Sequence, residues 1–352
     1  NDGWPAVKRI LVVFGTRPES LKLWPIIKLA REEYAEDFYL QTYFTNQSEE
    51  QYIADIKPDW SARKCCGTMR PKGFGQILSD VEWFLDNRNG WDAVMVQGDT
   101  FSTLAGAQAA YFRDVPVIHV EAGLRTYRKN PWPEEMIRSQ VDVMSQWRFA
   151  PTIRAKRALE NERLTCQVVG NTIIDRIKME SLPPSKGALH VLCQLHRRES
   201  WERFAPMMEA LASVIRKMPF KKFIFLSHPN GKLDPFLRMA PGNVRILPHQ
   251  EYRPFLELMN NSEALITDSG GLIEEAAYFG KPCFILRDET ERMESVDAGL
   301  AKLLGRGKDI SAIPYLMETL GDWFKPEAPC PYGEGQASRR ILDHLKTCSW
   351  SN

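Results

Sequence analysis

Short runs of consecutive apolar residues alternate with longer amphipathic segments from one end of the chain to the other. "RILVVFG" (9–15) reads as a buried strand, with a helix expected to begin near Ser20. "DFYLQTYFT" (37–45), "DAVMVQG" (92–98) and "VPVIHV" (115–120) repeat the pattern, each leading into a helical or loop segment. Runs that are apolar throughout, instead of at every second residue, belong to strands covered on both faces, as in a parallel sheet. After "CQVVGN" (166–171) the stretch "SLPPSKGALH" (181–190) breaks the rhythm with paired prolines and small residues, which makes it the expected linker. The alternation then restarts with "HVLCQLH" (190–196), a long helix near 200–217, "KKFIFLSH" (221–228), "VRILP" (244–248), "EALIT" (263–267) and "PCFILR" (282–287). "GQASRRILDHLK" (335–346) has helical periodicity and can pack across either half.

The pattern predicts an α/β fold of two Rossmann-like domains facing each other across a cleft. The expected bounds are 1–175 and 186–332, with a terminal helix at about 335–352; a chain of 352 residues suits two domains of ordinary size. With 43% apolar and 26% charged residues and a formal net charge of +1, the chain has no global attraction for nucleic acid or an acidic membrane surface. The seven cysteines include no CxxC pair, so no metal is expected and the thiols are expected to be reduced in a cytoplasmic protein. No apolar run reaches the roughly 18 residues needed to span a bilayer. The opening "NDGWPAV" starts without Met and has no signal-peptide core, as a processed end would.

In such sheets ligands sit beyond the carboxyl ends of the strands, so the residues following each strand carry the chemistry. "FGTRPES" (14–20) offers Gly15 for a tight turn, Thr16 as a cap, and Arg17 and then Lys22 as cations for a diphosphate. It is not GxGxxG, which counts against a dinucleotide, and no cofactor is expected. "QGDT" (97–100) presents Asp99, "EAGLRT" (121–126) presents Glu121 and Arg125, and "NPWPEEMIR" (130–138) presents Glu134, Glu135 and Arg138 behind two stiffening prolines. A single acid in such a place is most simply a cap or an ion-pair partner. Three from separate loops suggest proton transfer, because carboxylates gathered together take different pKa values and divide the roles of acid and base. In the second half "HRRES" (196–200) brings His196, Arg197 and Arg198 together, a cationic group suited to phosphate oxygens. His228 in "SHPN" and His249 in "PHQ" say less by pattern; His228 is placed with the substrate-binding group.

"ITDSGGLIEEA" (266–276) raises a choice between a serine nucleophile and an anion cradle. A GxSxG elbow requires glycine two residues before Ser269, where Thr267 stands, and no suitably spaced Asp and His partners are visible. Ser269, Gly270 and Gly271 instead open a helix after a strand, and unobstructed helix-start N–H groups bind phosphate. Glu274 or Glu275, one turn on, can accept from ribose hydroxyls.

Taken together, "GTRPE" with Lys22, "QGDT", "HVEAGLRT", "PWPEE", "GNTIID", "HRRES", "TDSGG" with "EEA", "GKPCFILRDETER" and "PYGEG" resemble the UDP-N-acetylglucosamine 2-epimerase family, in family order from about residue 9 to 345. The resemblance implies a glycosyltransferase-B-like fold holding a UDP-sugar, a C-terminal helix that returns to the N-terminal domain, and a homodimer. It implies inversion at C2 without NAD, by elimination of UDP to a glycal and re-addition after protonation on the other face. Carried over by motif, Asp99, Glu121 and Glu134 become the acid/base group and His196 the helper at the leaving diphosphate. Arg17, Lys22, Ser269 and Gly270 fall on UDP, Glu275 on the ribose and Phe255 at the spacing of the uracil pocket, with Arg292 of "DETER" near the same cleft.

Four positions depart from the family pattern. Ser48 replaces the His that follows Gln47, and Gly75 stands where an Arg is expected before Gln76, both in a segment that binds a regulatory nucleotide sugar in the family. Ile273 stands for a common Gln and Met293 for Pro. The readings left open are an unregulated epimerase, a hydrolysing one that releases N-acetylmannosamine and UDP, and an epimerase of a related UDP-acetamido sugar. A glycosyltransferase and a UDP-sugar sensor without turnover are the rivals from other classes.

Overall fold

The structure is a computed structural model that describes residues 7–48, 56–67, 73–195, 201–227, 241–305 and 309–350. The chain divides into two compact units, one of Asn1–Met179 with Tyr332–Asn352 and one of Glu180–Pro331.

The first unit alternates strands and helices as β1 (Lys8–Phe14), α1 (Arg17–Glu33), β2 (Phe38–Phe44), β3 (Trp60–Ser61), α2 (Ala62–Cys66), α3 (Phe74–Asn87) and β4 (Ala93–Gln97). It continues as α4 (Phe101–Tyr111), β5 (Val117–Val120), α5 (Glu134–Met144), β6 (Trp147–Ala150), α6 (Ile153–Asn161), β7 (Gln167–Val168) and α7 (Thr172–Met179). All pairings are parallel, in the order β3-β2-β1-β4-β5-β6-β7. β1 shows why its sequence is apolar throughout. Ile10, Val12 and Phe14 belong to a core shared with Ile26, Ile27 and Leu342, whereas Leu11 and Val13 belong to one shared with Phe84, Ala105 and Ala109. Alternate side chains of one strand thus feed helices on opposite faces, and neither face can be polar.

Helix α1 begins at Arg17 and not near Ser20, because Pro18 sits in its first turn, where its missing N–H is no loss and its fixed φ suits the helix. The terminal helix Ala337–Thr347 belongs to this unit. Its first turn donates Ala337 N (3.1 Å) and Ser338 N (2.8 Å) to the carboxylate of Asp175, and Ile341, Leu342 and Leu345 are fully buried in the α1 core. Each such side chain contributes about 1.5–3 kcal/mol of transfer free energy.

The second unit carries β8 (His190–Gln194), α8 (Trp201–Arg216), β9 (Phe223–Leu226), β10 (Val244–Leu247), β11 (Ser262–Thr267), β12 (Cys283–Ile285) and β13 (Ala301–Leu303). Its sheet is also parallel, ordered β10-β9-β8-β11-β12-β13. In chain order both sheets begin 3-2-1-4-5-6, the doubly wound Rossmann arrangement, whose order reverses between its first and fourth strands. The expected α/β class is therefore observed twice. Residues 181–189 form no regular element, which suits the proline-broken linker. Among the described residues no helix is long and apolar enough to cross a membrane, and no group of three or more His, Cys, Asp or Glu gathers as a metal site.

Candidate active site

In the first unit the order reverses between β1 and β4, so the turns after those strands flank the crevice. Gly15 follows β1, and a Cβ there would lie 2.1 Å from Ser102 Oγ and 2.2 Å from Thr45 Oγ1, a closeness only glycine allows. The next turn is tied down by Glu19, which is fully buried. Its Oε2 accepts from Gly15 N (3.1 Å) and Thr16 Oγ1 (2.7 Å), and its Oε1 from Thr100 Oγ1 (2.7 Å) and Thr103 Oγ1 (3.2 Å). Burial pushes its pKa up to about 7, against the four hydrogen bonds, which act to lower it. Glu19 therefore links the turn that carries Arg17 and Lys22 to the turn that carries Asp99.

Gln97 of β4 stands beside Val120 of β5, so Asp99 and Glu121 follow adjacent strand ends, in a sheet whose strands are about 4.8 Å apart. Glu121 takes a left-handed backbone at φ 70, a conformation that costs a side-chain-bearing residue on the order of 1–3 kcal/mol. Its Oε2 accepts from Lys22 Nζ and from Asn171 Nδ2 (2.8 Å), all three groups being buried. Asp99 accepts from Arg138 Nε (2.8 Å). Arg138 also donates Nη1 to Glu135 Oε2 (3.1 Å), and Glu135 Oε1 takes the N–H groups of Thr126 and Tyr127 (2.8 Å each). Glu134 opens α5, one helical turn before Arg138 and so on the same face. One of its carboxylate oxygens, Oε2, is buried and has no hydrogen-bond partner among the described residues. Such an acceptor is rare in folded proteins and is completed by water or a ligand. One rim of one sheet thus holds a carboxylate paired with lysine, one paired with arginine, and one with an oxygen left to fill.

Arg125, expected on the substrate, is spent elsewhere. Its Nε and Nη2 form a fork on Glu162 (2.8 and 2.7 Å), Nη2 also meets Asp142 (2.7 Å), and Nη1 goes to the Leu124 carbonyl (3.0 Å). Its side chain is 2% exposed and turned to Glu162, Asp142 and the Leu124 carbonyl, so it supports the loop after Glu121. Asp142 is also bonded to His119 Nδ1 (2.7 Å) and Gly123 N (3.1 Å). Burial acts to raise its pKa, but His119 and Arg125 outweigh that and hold it below the ordinary carboxylate value.

In the second unit β11 ends at Thr267, and Ser269 is the N-cap of the helix Gly270–Tyr278, with no side-chain cap bond. A Cβ on Gly270 would come within 2.7 Å of Arg292 Nη1 and Glu291 Oε1, whereas one on Gly271 would meet nothing within 4 Å. The first glycine is thus needed for packing and the second borders open space. Arg292 is buried, donating Nε to Glu274 Oε1 (2.8 Å) and Nη1 to Glu291. Glu275 Oε1 accepts from Tyr252 Oη (2.9 Å), at the start of the helix Tyr252–Asn260 that carries the buried Phe255. Ser269, Gly270, Gly271, Glu275, Phe255 and Arg292 are in this way gathered within one unit. His196, Arg197 and His228 lie outside the described residues.

The departures from the family pattern also have places. Ser48 donates both N (2.8 Å) and Oγ (2.9 Å) to the Gly15 carbonyl, and Gln47 Oε1 accepts from Ser102 N (2.9 Å) and Oγ (2.7 Å). Ser48 therefore holds the turn after β1, and Gln47 the start of α4. Ile273 is fully buried in the helix Gly270–Tyr278, so its change from Gln falls in the core.

The chain matches the family model described as UDP-N-acetylglucosamine 2-epimerase over residues 38–346. It is 34% identical to the UDP-N-acetylglucosamine 2-epimerase of Yersinia pestis, over 96% of this chain and 98% of that protein. The crystal structure of the Neisseria meningitidis UDP-GlcNAc 2-epimerase bound to UDP-GlcNAc superposes with a TM-score of 0.85 at 32% identity, covering 96% of this chain and 99% of that one. That of the Methanocaldococcus jannaschii enzyme with UDP-GlcNAc and UDP gives 0.80 at 30%, covering 97% and 99%.

Proposed function

Because the chain belongs to the UDP-N-acetylglucosamine 2-epimerase family, we propose that it interconverts UDP-N-acetylglucosamine and UDP-N-acetylmannosamine. A carboxylate of the first unit takes the C2 proton, and the C2–H electron pair becomes the C1=C2 bond as the C1–O bond to UDP breaks. The resulting 2-acetamidoglucal is then protonated at C2 on the opposite face while a UDP oxygen re-forms the bond to C1. Asp99, Glu121 and Glu134 supply base and acid. Arg17, Lys22, His196, Arg197 and His228 hold the departing diphosphate with the Ser269–Gly271 helix start, Glu275 takes the ribose, and Phe255 and Arg292 line the nucleotide side. The C2 proton is weakly acidic, so a positioned base and a cationic leaving-group site are the terms that lower the barrier.

The observation that carries this reading is the buried Oε2 of Glu134, without a hydrogen-bond partner among the described residues, at the head of the helix whose Arg138 holds Asp99. Trp83, Tyr111, Phe112, Met136 and Val143, exposed on or beside α3, α4 and α5, suit a homodimer contact. The compartment we assign is the cytoplasm. Incubation with UDP-N-acetylglucosamine in deuterated water tests the reaction. Deuterium at C2 of a retained UDP-sugar is the expected result. Free N-acetylmannosamine would place the enzyme in the hydrolysing branch, and a sugar without exchange would overturn the proposal in favour of a transferase or a sensor.

A further inference from the structure

His119 lies inside the apolar strand β5 with no exposed surface, and both of its ring nitrogens are engaged. Nε2 stands 2.9 Å from the carbonyl oxygen of Gly98, which can only accept, so this nitrogen donates. Nδ1 stands 2.7 Å from Asp142 Oδ1. The other oxygen of Asp142 receives Arg125 Nη2 (2.7 Å) and Gly123 N (3.1 Å), the surroundings of an ionised carboxylate, which likewise only accepts. The ring is thus pinned at one end by the Gly98 carbonyl and at the other by the Asp142 carboxylate.

This ring touches each of the elements that carry the acids. Gly98 immediately precedes Asp99, His119 itself is two residues before Glu121, and Asp142 lies on α5 with Glu134 and Arg138. We propose that His119 is a positioning residue for the epimerisation, its Nε2–H holding the Gly98 carbonyl and thereby setting the Asp99 carboxylate against Glu121, while its Nδ1 holds α5 and Glu134 through Asp142. The proposal rests on the acid/base roles given above. An amide or hydroxyl at this position reaches one of the two partners, whereas the imidazole ring spans both from within a strand.

Two half-mimics separate positioning from simple core packing. His119→Gln places an amide near the former Nε2 and keeps the donor to Gly98; His119→Asn places one near Nδ1 and keeps only the Asp142 side. The expected result is a kcat loss of about 10²-fold in H119N and within about tenfold in H119Q, because small displacements of a reacting group are that costly. KM and the calorimetric affinity for UDP should change by less than about threefold in both, the split that marks loss of a transition-state interaction. H119Q as impaired as H119N, near-normal rates in both, or UDP affinity falling in step with kcat would overturn the proposal. The unmodified enzyme separates the two readings: failure to epimerise overturns the proposed function, whereas an epimerising enzyme that shows any of the excluded variant patterns overturns the positioning role alone.

Discussion

Glu19 makes the stability of this protein depend on pH in a direction opposite to the usual carboxylate. Its pKa lies at about 7 in the folded chain against an ordinary 4.5, with burial as the main cause. Between those values the folded state holds a proton that the unfolded state has lost, so stability falls as pH rises, and the full cost is present above about pH 7. The interval is 7 − 4.5, about 2.5 pH units, which at about 1.36 kcal/mol each comes to about 3 kcal/mol. Because the unfolded group is already mostly ionised at pH 5, about 2.5 kcal/mol of this is spread between pH 5 and pH 8. Glu19→Gln removes the charge and keeps the fit, since an amide oxygen can take Gly15 N and Thr16 Oγ1 while its NH₂ donates to the hydroxyls of Thr100 and Thr103. Urea unfolding of both proteins across this range is the assay. E19Q should gain on the parent by about 2.5 kcal/mol on going from pH 5 to pH 8. Stability curves that run parallel would show that Glu19 is ionised throughout and that burial does not govern it.

Removing the charge of either paired acid should separate chemistry from binding. Glu121→Gln and Asp99→Asn are each expected to lower turnover by at least about 10²-fold while UDP still binds, as read by steady-state rates and calorimetry; near-normal rates in both would remove them from the mechanism. Glu134→Gln should lose turnover to a similar degree without loss of thermal stability, because its buried Oε2 has no hydrogen-bond partner among the described residues. A clear drop in melting temperature would make it structural. Gly15→Ala should cost several kcal/mol, on the order of 2–4, since its Cβ would collide with Ser102 and Thr45; unchanged denaturation midpoints would contradict that packing.

The strands were legible because parallel strands buried on both faces must be largely apolar, and "RILVVFG" and "VPVIHV" are. The same uniformity hid His119, which reads as one polar residue in an apolar strand although its partners, Gly98 and Asp142, come from elements far along the chain. Glu19 was hidden differently. Thr16 and Glu19 have the spacing of a helix-capping pair, yet Glu19 also reaches across to Thr100 and Thr103. Asn171 sits in "GNTIID" as an apparent cap, and it does accept Ile173 N (3.0 Å), but its amide is turned onto Glu121. Arg125 shows the opposite failure. A cation beside a strand-end acid looks like a substrate contact, and only three-dimensional packing reveals that Asp142 and Glu162 consume it. Spacing along the chain locates the rim on which residues stand, while the choice between substrate and support is made by neighbours distant in sequence.

A structure of the enzyme with a bound UDP-sugar tests the central claim most directly, through the distances from C2 to the carboxylates of Asp99, Glu121 and Glu134. The account predicts carboxylate oxygens on both faces of C2, each within about 3–4 Å. A sugar whose C2 lies more than about 6 Å from all three, beyond the reach of direct proton transfer, would contradict it.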